Sequence, residues 1–150
     1  MNRRSMLWAA LSSVGTAFAA APQARAAPEA AAPDRLKVVY HLSDLDRVNF
    51  VIGNIQSHLD GVGGPDRVTI ALVVHGPALR AFHAASANPD LSRRVGQFSG
   101  AGLELAACGN TMKSQNVVLK DLLPGFVSAD RGGVVRIAEL QSQGYVYIRP

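Results

Sequence analysis

Leu103-Glu-Leu-Ala-Ala-Cys108-Gly-Asn-Thr111 is the stretch on which the fold turns. Its first half is a short apolar run of strand length. Its second half holds the only cysteine of the chain, a glycine, and two residues that open helices well. A strand that turns tightly into a helix leaves the turn at the strand's carboxyl end, where ligands of open parallel sheets sit. A helix entered at Asn110 or Thr111 aims its free N–H groups back at that turn. The positive potential there favours a thiolate and lowers a thiol's pKa. Lys113 falls in the first turn and adds positive charge near the sulfur, while Leu119, Leu122 and Leu123 extend an apolar face and predict one continuous helix up to Pro124-Gly125. The expectation is a reactive thiol, Cys108, on an exposed turn of an α/β scaffold. A buried, inert cysteine is the competing reading.

Working outward, Leu36–Leu42 and Arg67–Val74 are apolar, β-rich runs, and the second is apolar on nearly every position, as in a strand covered on both faces. Between them Leu45, Val48, Ile52, Ile55 and Leu59 recur at helical spacing, with Ser43 or Asp44 to cap and Asp46 in the first turn. Gly61, Gly63, Gly64 and Pro65 end that helix; they precede a strand rather than follow one, so they are a loop and not a phosphate cradle. Pro77 opens a helical piece through Phe82, Asn88-Pro89 restarts it, and Leu91–Phe98 forms another. Residues 126–133 are ambiguous, part of them fitting a short strand with Asp130-Arg131-Gly132 as a turn, Val134–Gln141 fits a helix, and Tyr145–Ile148 is a last strand. Strands alternating with helices predict an α/β protein, a three-layer α/β/α sandwich around a mainly parallel sheet of about five strands.

Each of His41, His75 and Cys108 follows its strand, so parallel strands place all of them at one sheet edge. A histidine there can take the thiol's proton or stabilise its charge. His75 is the stronger candidate because Gly76-Pro77 fixes a tight turn beside it; His41 is weaker, and His58 and His83 are read as surface residues on helices. Asn110 and Thr111 serve as helix caps, and with Lys113 they also make an anion site for a thiosulfonate or sulfite oxygen. No histidine or cysteine pair has a metal-ligand spacing, and no cofactor is implied.

The amino end reads differently. Arg3-Arg4 precedes a mostly apolar run from Met6 to Ala21, and Ala24-Arg25-Ala26 is a small-x-small cleavage site. These are the parts of an export signal over residues 1–26, twin-arginine-like and so read as Tat rather than Sec, which places the protein in the periplasm. The apolar run is short for a membrane span, and no cysteine follows it for a lipid anchor. Residues 27–35 are an Ala/Pro-rich flexible leader, and residues 36–150 form one domain. Cleavage removes three arginines and no acidic residue, so the net charge falls from +4 to +1. With no basic run interleaved with aromatics, nucleic acid is excluded as a partner. One cysteine forms no internal disulfide; in an exported chain it is a free thiol or an intermolecular partner.

Three segments in order carry a resemblance: Val-Val-His75-Gly-Pro-Ala, then Ala-Cys108-Gly-Asn-Thr-Met, then Gly-Val-Val-Arg-Ile-Ala-Glu-Leu-Gln141 through Pro150. From about Leu36 to Pro150 the chain resembles the DsrE/DsrF-like proteins, in particular an exported branch related to intracellular sulfur oxidation proteins. The resemblance implies the YchN-like three-layer fold, a homo-oligomer (trimer or hexamer), and sulfur relay through a cysteine persulfide, with Cys108 in that role. The expected function is a periplasmic sulfur carrier that passes sulfane sulfur to a thiol-bearing partner. The alternative is a non-enzymatic oligomeric binding or assembly module with a structural cysteine.

Overall fold

The computed structural model describes residues 35–150; the export signal and nearly all of the leader lie outside the described residues. Five strands form one all-parallel sheet: β1 (Leu36–Leu42), β2 (Val68–Val74), β3 (Glu104–Cys108), β4 (Phe126–Ala129) and β5 (Val146–Ile148). Their order across the sheet is β4-β3-β2-β1-β5. The helices are α1 (Val48–Val62), α2 (Pro89–Gly100), α3 (Gly109–Ser114) and α4 (Gly133–Ser142), and Gly76–Phe82 is wound as a 3-10 segment. The five predicted strands are present, and residues 126–133 resolve into a strand followed by a turn before α4.

Strand order explains the layers. From β1 to β4 each strand is laid beside the last, always in the same direction. Right-handed crossovers then put every connecting helix on one face. The connection from β4 to β5 runs the other way, so α4 lies on the opposite face. The core divides accordingly. One cluster joins Val38, Leu42, Ile70, Leu72 and Leu105 to α1, α2 and Phe82. The other joins Val39, Ala71, Val73 and Ala106 to Ile137 and Leu140 of α4. The alternation along β2 sorts its side chains between the two clusters, which is why nearly every position there is apolar.

The chain after β3 departs to one face and the chain after β4 to the other. The crevice between these two strand ends is the topological switch point, the usual ligand site of an open α/β sheet. Cys108 stands there, paired in register with Ala129.

The helix after the cysteine differs from expectation. It begins at Gly109, with Cys108 itself as N-cap, and ends at Ser114. Asn110 and Thr111 are therefore first-turn residues and not caps. Asn116, at a positive φ of 54°, turns the chain out of the helix. Leu119 then lies in a separate 3-10 turn, Leu119–Asp121, and Leu122 and Leu123 follow it in the core. Apolar spacing alone does not register a left-handed break at an asparagine.

Candidate functional site

Cys108 ends β3 on the α4 face, the same face as Ala106 by alternation. It retains 6% of its surface, so it is not on the exposed turn that the sequence predicts. The sulfur is nonetheless surrounded by donors. Burial raises the thiol's pKa, but the Thr111 hydroxyl and the backbone N–H groups of Gly133, Thr111 and Asn110 hold it below its ordinary value. Thr111 Oγ1 accepts the Gly76 N–H at 2.9 Å, which ties the first turn of α3 to the turn after β2. The donors come from the first turns of α3 and α4, so the N-termini of two helices on opposite faces converge on one atom.

Glycine makes this convergence possible. A Cβ at Gly133 would sit 3.2 Å from Cys108 Cβ, 3.3 Å from His75 Cβ and 3.4 Å from Val73 Cγ1. A Cβ at Gly109 would sit 3.0 Å from the Ala129 carbonyl oxygen. Any side chain at either position would push the helix start away from the sulfur. The sequence places Gly132 in a turn and gives Gly133 no role as a donor; a glycine pair between a short strand and a helix is the signal for it.

The histidines are brought together, but not onto the thiol. Val73, beside His41 in register, and Val74, beside Ala107, carry His75 to the position next to Cys108. The His75 N–H continues the sheet by donating to the Leu42 carbonyl at 3.0 Å. Its ring Nε2 meets His41 Nε2 at 2.5 Å, and His41 Nδ1 meets the Tyr147 hydroxyl at 2.6 Å. No imidazole is among the groups hydrogen-bonded to the sulfur. His75 Nε2 is occupied by His41, so only Nδ1 of His75 is open to a proton from a thiol. Burial, then His75 and Arg149, lower His41 to about 4, against a small opposing effect of Asp44. Burial and Arg149 likewise lower His75. Both rings are neutral at pH 7. Arg149 reaches across to Ser43 Oγ at 3.1 Å and Asp44 Oδ2 at 3.2 Å, so Asp44 is an ion-pair partner and makes no side-chain cap.

The other candidates fall outside this cluster. Lys113 is exposed in the last turn of α3, without an ion pair among the described residues, and supplies no contact to the sulfur. Asn110 contributes its backbone N–H; its side chain lies against Gly132. His58 is half-buried and bonded to the Tyr40 hydroxyl at 2.8 Å. His83 is half-buried too, bonded to Gln115, whose Nε2 donates to the Gly76 carbonyl. Neither is the plain surface residue predicted; together His83 and Gln115 lock α3 to the turn after β2. Among the described residues no group of three His, Cys, Asp or Glu side chains is placed to hold a metal. A groove of about 440 Å³ is lined by residues of β4 and α4, and most of its charges are paired: Arg136 clasps Glu104 through two 2.7 Å bonds and also meets Glu139, which Arg131 reaches too.

A lopsided α/β/α sandwich with a thiol at its switch point, cradled by two helix starts, defines the class. The DsrE/DsrF-like family model matches residues 38–150, and the chain belongs to that family, one associated with sulfur relay. Among solved structures, a protein of unknown function from Methanobacterium thermoautotrophicum is 28% identical, with a TM-score of 0.67, covering 77% of this chain and 99% of the other. A conserved protein of unknown function from Bacteroides thetaiotaomicron is 13% identical at a TM-score of 0.57, covering 76% and 94%. The ychN protein of E. coli is 9% identical at a TM-score of 0.54, covering 77% and 99%, and shares the fold. No curated protein matches the chain.

Proposed function

We propose that this protein is an exported, periplasmic sulfur carrier that holds sulfane sulfur as a persulfide on Cys108 and passes it to a partner thiol. The observation that carries the reading is the place of the sulfur, at the switch point between the starts of α3 and α4, where the Thr111 hydroxyl and the N–H groups of Gly133, Thr111 and Asn110 lower the thiol's pKa against burial. The persulfide is also an anion, and the same donors serve it. Loading is balanced without a redox partner: the Cys108 thiolate attacks the outer sulfur of thiosulfate, the S–S bond breaks, and sulfite leaves with the electron pair. Small surface exposure restricts the donor to a compact species such as thiosulfate or a short polysulfide. Intact-mass spectrometry after such treatment is expected to show one added sulfur on the wild type and none on Cys108→Ser. An unmodified wild type, or equal addition to both, refutes the reading.

The low exposure of Cys108 favours a second reading, an assembly module with a structural cysteine. Under that reading the native thiol is inert to a water-soluble maleimide and reacts only after unfolding; fast native labelling excludes it. The homo-oligomer implied by the resemblance, trimer or hexamer, belongs to the same proposal and is tested by light scattering on the signal-cleaved chain.

A further inference from the structure

The Tyr147–His41–His75 chain is built with care and has no part in holding the Cys108 sulfur. Its members come from β5, β1 and the end of β2, and all lie on the α4 face at the carboxyl edge, as Cys108 does. We propose that the His41–His75 pair is the base that deprotonates the incoming acceptor thiol, with Tyr147 positioning the pair. This rests on the carrier reading of Cys108.

The need for such a base follows from the chemistry of hand-off. An ordinary thiol has a pKa of about 8.5 and attacks only as thiolate. Cys108 Sγ cannot take its proton, because in the loaded state that sulfur is bonded to the outer sulfur and is too weakly basic. The pair can. With the shared proton on His75 Nε2, His41 Nε2 accepts it, His41 Nδ1–H donates to the Tyr147 hydroxyl, and His75 Nδ1 is left with a free lone pair; no partner holds that atom among the described residues. A proton taken at His75 Nδ1 shifts the shared proton to His41 Nε2 and releases the one on His41 Nδ1 through Tyr147, which is half-exposed, to water. The acceptor thiolate attacks the outer sulfur of the Cys108 persulfide. The persulfide S–S bond breaks, its electron pair returns to Cys108 Sγ, and the new S–S bond lies on the acceptor. The acceptor sulfur is oxidised as Cys108 is reduced, and the proton ends on the product or in water. Of the charged groups facing the pair, Arg149 and Asp44 are bound to each other, while a persulfide anion on the neighbouring strand end would favour the protonated pair during transfer.

The test times discharge of protein loaded to equal persulfide occupancy, verified by mass. Wild type, His41→Gln and Tyr147→Phe are each offered 2-mercaptoethanol, protonated at neutral pH, and 5-thio-2-nitrobenzoate, already ionised. The expected result is about a hundredfold loss toward 2-mercaptoethanol in His41→Gln, a smaller loss in Tyr147→Phe, and rates within about twofold of wild type toward the ionised thiol. Equal losses toward both thiols would mean a structural role, and no loss toward either would mean no role; each overturns the inference. Tyr147→Phe removes one hydroxyl from a half-exposed residue, so it reports even where His41→Gln unfolds. A wild type that never loads refutes the carrier reading itself and takes this inference with it.

Discussion

Thr111→Val removes one hydroxyl and tests whether the sulfur is held as an anion by aimed donors. In the native site that hydroxyl accepts from Gly76 N–H and is one of four groups that lower the Cys108 thiol against burial. A hydrogen bond to a charged group is worth about 1.5–3 kcal/mol. Because 1.4 kcal/mol corresponds to a factor of ten, losing it lowers the thiolate fraction at a fixed pH below the midpoint by about tenfold to a hundredfold. The variant also leaves the Gly76 N–H without its partner, at a cost of about 1–3 kcal/mol of stability. The assay is the pH–rate profile of alkylation by iodoacetamide, with the thiolate's ultraviolet absorbance as an independent measure. The profile of Thr111→Val should be displaced to higher pH and converge with wild type at alkaline pH, where both are ionised. Thr111→Ser keeps the hydroxyl and should restore the native profile. A Val profile superimposed on wild type, or a Ser profile like that of Val, refutes the hydrogen-bond account of the thiolate.

Gly133→Ala places a Cβ 3.2 Å from Cys108 Cβ and 3.3 Å from His75 Cβ; a loss of about 1–3 kcal/mol in denaturant unfolding is expected, with slower alkylation because the α4 N–H moves off the sulfur. Leu140→Ala should cost about 2–5 kcal/mol, because Leu140 is fully buried and α4 is the only helix over its face of the sheet among the described residues, whereas Val134→Ala, at an exposed position, should be near neutral by the same measurement. Stability should fall as pH drops from 6.5 toward about 4: His41 is lowered in the folded state by burial, His75 and Arg149, so the unfolded chain binds more protons in that window, and His41→Gln should flatten that slope in urea titrations. Stability in Cys108→Ser should lack the rise that wild type shows as pH climbs through the ordinary thiol range, since the folded thiol ionises earlier than the unfolded one.

The site was partly legible before any coordinates. Alternation and strand length put His41, His75 and Cys108 at strand ends, and all three lie on one face of one edge. The His75–His41 pairing was not legible, because contact between side chains at strand ends depends on rotamers and on which strand lies alongside. Lys113 was misplaced for a simpler cause: with Cys108 as N-cap and a helix of six residues, a residue expected in the first turn falls in the last, and it points to solvent. Tyr147 and Gly133 were missed as site residues because each reaches the site only through the return of the chain across the sheet.

Local pattern by itself determined the elements: apolar runs bounded by glycine and proline fix where strands begin and end, and the doubly buried run at β2 announces a sheet covered on both faces. It also determined that the lone thiol follows a strand and opens a helix. Only the tertiary structure decided what surrounds that thiol. The order β4-β3-β2-β1-β5 sends α4 to the opposite face, brings its first N–H to the sulfur, and lays β5 beside β1 so that Tyr147 meets His41. Those contacts join residues far apart in the chain, and the energy that selects them is the burial of whole faces of the sheet, which no short stretch of sequence contains.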